Sequence, residues 1–131
     1  MPAIDDYLES FDKICHTKCL NGRLKFVEMQ VSLNFANTLG NMIKENYEQR
    51  ITHLNLQRNN LGDSGAIILM NAVMHSKVLI YLNFASNNIG PLGLDTIFKG
   101  LMINQSITHV DVSTYDGYNR NRVSSKNSKA I

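Results

Sequence analysis

Two segments of this 131-residue chain can be laid over one another position by position: ITHLNLQRNNLG at residues 51–62 and LIYLNFASNNIG at 79–90. The offset is 28 residues, and Ile51, Leu54, Leu56, Asn59 and Leu61 recur as Leu79, Leu82, Phe84, Asn87 and Ile89. Self-similarity at such a period means that each unit is one supersecondary element that cannot bury its apolar face alone, so neighbours must stack. A third copy opens as ITHVDVSTYDG at 107, where Ile107, Val110 and Val112 keep the apolar positions but Tyr115 stands where the Asn is expected. With an insertion near 115–120, Asn121 and Val123 resume the pattern, giving repeats over 51–78, 79–106 and an incomplete 107–131.

Within each unit a short alternating stretch precedes Asn and Gly, and apolar residues then follow at i, i+3, i+4 spacing. That is a strand, a turn and a helix. Ala66, Leu69, Met70 and Val73 form the first helical stripe behind Asp63 or Ser64; Leu94, Ile97, Phe98 and Leu101 form the second behind Pro91, which suits a first helical turn. Asn59, Asn87 and Asn121 stand where the chain leaves each strand. An amide carries donors and an acceptor, so the expectation is a structural ladder of Asn side chains serving turn backbone of their own and the adjacent repeat.

These residues resemble the leucine-rich repeat family, and 28-residue units with N-N-L-G-D-x-G-A are similar to the ribonuclease-inhibitor-like subclass shared by Ran GTPase-activating proteins and several ciliary proteins. The resemblance covers residues 51–131. It implies an α/β fold, a short leucine-rich-repeat solenoid with parallel strands on its concave face and helices on its convex face. Such a fold hosts many unrelated binders, so function has to be argued from the site.

Residues 1–50 are expected to form a helical cap and a degenerate first repeat. Ile4, Tyr7, Leu8, Phe11 and Ile14 or Cys15 lie at helical spacing with Asp5, Asp6, Glu9 and Asp12 on the other side, an end cap over the solenoid in preference to a partner-binding helix. Asn21-Gly22 marks a turn. From Val27 to Phe35 the sequence alternates as a strand would, yet Phe35, Leu39, Met42, Ile43 and Tyr47 favour a helix over about 34–48. LNFANTLG at 33–40 also echoes the strand-and-turn segment at 82–90. At the other end, Ala130 and Ile131 fall at the places of Ile68 and Leu69, in the middle of the expected third helix. An array without a terminal cap exposes an apolar flank, so the expectation is a covering chain or a longer protein.

Thirteen Lys and Arg against eleven Asp and Glu give a net charge of +2, far from the concentrated basic stripe of a dedicated nucleic-acid binder. The acidic start MPAIDDYLES is unlike a signal peptide, and Cys15 and Cys19 on one helix face suit a reducing compartment, so a cytoplasmic location is expected. Cys15, His16 and Cys19 lack the second ligand pair of a zinc site. Gly62-Asp63-Ser64-Gly65 lacks the Gly-Lys-Ser/Thr ending of a phosphate cradle. No catalytic, metal or cofactor-binding residue is therefore assigned.

Strand alternation sends the residues flanking Leu54, Leu82 and Val110 to the open face. His53, Tyr81 and His109 form one column there, Asn55, Asn83 and Asp111 a second, and Gln57, Ala85 and Ser113 a third, with Arg58, Ser86 and Thr114 at the rim. This face reads as polar and nearly uncharged, a protein-contact surface on which Asn83→Ala would change stability by no more than about 0.5 kcal/mol. A second contact region is the tail, Tyr115, Tyr118, Arg120 and Arg122.

The expected function is a non-enzymatic protein–protein interaction module, a structural or scaffold subunit of a multi-subunit intracellular assembly. Its partners are proteins, with no membrane, small molecule or cofactor. Similarity of the repeats, and of the T-Y-D-G-Y-N-R-N-R insertion, to flagellar and ciliary proteins implies a cytoskeletal, axonemal setting. The alternatives are a small-GTPase regulator like the Ran-activating proteins, and nucleic-acid contact through the basic tail.

Overall fold

The computed structural model of the protein describes residues 22–28, 33–47 and 50–113. The cap helix, Cys15, His16 and Cys19 lie outside the described residues, as do Asn121, the insertion, the tail residues Tyr115, Tyr118, Arg120 and Arg122, and the unfinished third helix.

Four short strands, β1 (Arg23–Lys25), β2 (His53–Asn55), β3 (Tyr81–Asn83) and β4 (His109–Asp111), pair side by side in chain order as one parallel sheet. Three helices, α1 (Leu33–Met42), α2 (Gly62–Val73) and α3 (Pro91–Ile103), connect them, and α1 runs into a π-helical segment at Ile43–Tyr47. The helices pack against one another in sequence, α1 on α2 and α2 on α3, in a layer behind the sheet. This is a short leucine-rich-repeat solenoid of the α/β class.

Register ties the repeats together. His53 pairs with Tyr81 and Tyr81 with His109, while Leu54, Leu82 and Val110 align one position on. Leu54 and Leu82 are wholly buried, as are Leu39, Ala66, Leu69, Met70, Leu94 and Ile97 from the helices. Burial on this scale at roughly 25 cal/mol per Å² of apolar area is the main term holding the layers together. The layers fit closely: a Cβ at Gly100 of α3 would lie 2.5 Å from Cε of Met70 on α2.

The sequence reading placed no strand upstream of residue 27, and here the structure adds one. Leu24 pairs with Leu54, 30 residues on, and Leu24 and Phe26 are both buried. Phe26 meets Phe35 of α1 edge to face, at 5.3 Å between ring centroids and 78° between planes. Leu33, Asn34 and Phe35 are helical, so the strand-like alternation and the echo of 82–90 mislead. They mislead because apolar residues spaced by two and by four coexist in that stretch, and stacking Phe35, Ala36 and Leu39 on α2 buries more than an isolated edge strand could.

β1, β2 and β3 leave the sheet through the same turn. Glu28, Arg58 and Ser86 have φ of 57°, 60° and 54°, and Asn60 and Asn88 both have 55°. Left-handed backbone is uncommon outside glycine, and its return in successive repeats shows that stacking dictates it. Glu28 N–H donates to the carbonyl of Gln57, Arg58 N–H to Ala85 and Ser86 N–H to Ser113, so one conformation is braced by the next.

Candidate functional site

The Asn column lies in these turns. Asn87 is fully buried; its Nδ2 donates to the carbonyls of Leu56, at 2.7 Å, and Ala85, and its Oδ1 accepts from the N–H groups of Asn59, at 2.9 Å, and Leu61. Asn59 sits one repeat earlier, and its Nδ2 donates to the carbonyls of Phe26 and Leu56. At the opposite end of the strands Asn104 does similar service, donating to Met74 and Ser76 carbonyls and accepting from Ser106 and Ile107 N–H groups. The hollow of about 410 Å³ beside it is lined by Ser76, Asn104 and Ser106. Ser106 Oγ donates to the carbonyls of Ser76 and Leu79, so these three polar side chains serve the fold.

The open sheet face is different in kind. His53 and Tyr81 stack with centroids 5.7 Å apart and planes 28° apart; both are half-buried, and His109 beyond them is exposed. In the next row Asn55 Oδ1 accepts the N–H of Gln57, Asn83 Oδ1 that of Ala85, and Asp111 Oδ1 that of Ser113. These are Asx turns, in which the side chain closes its own backbone two residues on. One expectation needs correction: Asn83 is only 3% exposed, and its Nδ2 donates to the Tyr81 hydroxyl at 2.9 Å. It is a structural residue and not a free contact. Ser86 and Ala85, expected at the rim and on the third column, are also buried, whereas Gln57 and Arg58 are half-buried and Ser113 is exposed.

The most consequential addition is β1. Since Leu24 points inward, its neighbours Arg23 and Lys25 point to the open face, in register with His53 and Asn55. Both are exposed, and neither makes an ion pair with a described residue. The face that looked nearly uncharged therefore carries two cations on its first strand. The signal was present in Leu24-x-Phe26 following Asn21-Gly22. It was hidden by the 30-residue spacing and by the echo at 33–40.

Arg23, Leu24, Lys25, His53, Asn55 and Tyr81 together line a depression of about 320 Å³. Thr52 Oγ1 donates to the carbonyl of Gly22 and lies 2.9 Å from Nδ1 of His53. Burial, and then the Arg23 guanidinium, hold the His53 pKa below its ordinary value. Thr108 and His109 repeat the arrangement on β4, with Thr108 Oγ1 at 3.1 Å from Nδ1 of His109. Three strand spacings of about 4.8 Å separate β1 from β4. No group of His, Cys, Asp and Glu fit to hold a metal occurs among the described residues, and no helix among them is long and apolar enough to cross a membrane.

Repeats, sheet and turns define the class. Residues 49–70 and 75–98 match the Leucine Rich repeat family, on the two units in which the sequence is most regular, and the fold over the described residues is a leucine-rich-repeat fold. No curated protein matches the sequence. Among solved structures the chain is similar to one titled "Leiomodin-1 Actin-Binding Site 2 (ABS2)", at a TM-score of 0.66 and 17% identity, covering 84% of this chain and 61% of that one. This chain thus spans less than two thirds of that structure, and the likeness is one of fold.

Proposed function

We propose that this protein is a non-enzymatic interaction module, a structural or scaffold subunit of a larger intracellular, cytoskeletal assembly that it contacts through the open face of its sheet. The observation that carries this reading is the contrast on that face. The Asn side chains of β3 and of the turns are bonded within the fold, while Arg23, Lys25, His53 and Tyr81 gather around an open depression. A shallow rigid face with an aromatic pair and charged margins is suited to a protein surface.

The solved neighbour's title names an actin-binding site, which supports the cytoskeletal part of the proposal. The axonemal setting rests on the sequence resemblance of the N-N-L-G-D-x-G-A repeats. A ribonuclease-inhibitor-like assignment fits the 28-residue spacing between β2, β3 and β4. The test is the native mass of the protein from gently lysed cells, with mass spectrometry of what co-migrates. A large species holding cytoskeletal proteins is expected; a chain migrating alone would overturn the assignment.

A further inference from the structure

The depression on β1 to β3 has a chemistry narrower than protein binding in general. Arg23 and Lys25 bring two cations, and no carboxylate is among the described residues that line it. Asn55 spends its Oδ1 on the N–H of Gln57, which leaves its Nδ2 hydrogens to an outside acceptor. Tyr81 Oη accepts from Asn83, which leaves the phenolic proton to donate outward. Four side chains on three adjacent strands therefore present hydrogen-bond donors. A donor-lined hollow with two cations that have no ion-pair partner among the described residues is complementary to anionic oxygen.

We propose that this hollow is the docking site for a carboxylate-bearing segment of a protein partner, an Asp/Glu-rich stretch seated against Arg23 and Lys25 with acidic oxygens reaching Asn55 and Tyr81. The proposal rests on the interaction reading above and specifies the partner's chemistry. Three features of this face favour an extended acidic peptide. The donors are spread along the sheet over three strands and not gathered at one point, as a single small anion would need. The stacked His53 and Tyr81 rings give an apolar floor for the peptide's carbon atoms. Asp111, a carboxylate of the same face, stands on the far strand with its Oδ1 held by Ser113 N–H and Oγ, away from the two cations of β1.

His53 sharpens the reading. Its surroundings of charge are Arg23 and Lys25 from β1, with Tyr81 from β3 and, further along the row, His109 and Asp111 from β4. The present neighbours disfavour its protonation; a bound carboxylate would reverse that and raise the pKa.

The direct test titrates the full chain with a fluorescent Glu-rich peptide and with its Gln counterpart of equal length. The Glu peptide is expected to bind about tenfold more tightly, to lose that advantage with Arg23→Gln/Lys25→Gln, and to weaken as salt rises. Lys99→Gln, at an exposed cation on α3, is expected to leave binding unchanged. An NMR titration should show the His53 pKa rising when the Glu peptide is bound. Equal affinity for the two peptides, absence of binding to either, or an unchanged affinity in the double variant would overturn the proposal. A photo-crosslinker placed at residue 55 in cells separates this failure from failure of the interaction reading. Adducts that persist in the double variant would leave an interaction module with a different recognition chemistry, and adducts absent from both proteins would remove the interaction itself.

Discussion

The strands β3 and β1 share a sheet and a register, yet they differ in what their outward side chains do. On β3, Asn83 is buried and bonded at both ends of its amide, and Asn87 in the following turn ties two repeats together. On β1, the two outward side chains are exposed cations without a partner among the described residues. Where the repeat is most regular, its polar residues hold the fold; where it departs from its own pattern, its polar residues are available to something else. In a solenoid, each repeat contacts only its neighbours, and regularity is therefore the mark of a structural constraint.

That contrast can be broken most forcefully at the centre of the sheet. Leu82→Ala removes a wholly buried side chain from β3 and should cost about 2 to 5 kcal/mol in urea unfolding. Next in size is Asn87→Ala, which strands the buried N–H groups of Asn59 and Leu61, at about 2 to 4 kcal/mol. A loss under about 0.5 kcal/mol would mean that the ladder is dispensable. Asn83→Ala should cost about 1 to 2 kcal/mol, since it unlocks the Ala85 turn and the Tyr81 hydroxyl. Arg23→Gln/Lys25→Gln should shift unfolding by no more than about 0.5 kcal/mol, because these side chains stand in solvent.

The smallest effect concerns pH. The folded His53 pKa lies below the ordinary 6.5, so folding favours the neutral ring. Its contribution is fully present above about pH 6.5 and is lost as pH falls from there through the folded value. The stability of His53→Gln should be flatter across that window, and Arg23→Gln should narrow it by removing the second cause of the shift. A steeper slope in either variant would mean that another group controls the titration.

Much of this was legible from residues alone. Leu54, Leu82 and Val110 fall in register because a 28-residue period leaves one way to stack them, and Pro91 opens α3 as its fixed φ suits. The Asx turns at Asn55, Asn83 and Asp111 were not foreseen, because alternation says which way a side chain points and nothing of whether its own backbone captures it. β1 is not legible in the sequence, since Leu24 and Phe26 supply only two apolar positions at a spacing of 30, too little pattern to mark a repeat. Yet the site's charge depends on it: one unnoticed strand of three residues turned an apparently neutral face into a cationic one.

The most direct test of the difference between β1 and β3 sets Arg23→Gln/Lys25→Gln beside Asn87→Ala, reading thermal unfolding and native complex mass in the same preparations. The double variant is expected to keep its melting temperature and lose its co-migrating partner, whereas Asn87→Ala melts several degrees lower. A double variant that melts early, or that keeps its full complex mass, would contradict it.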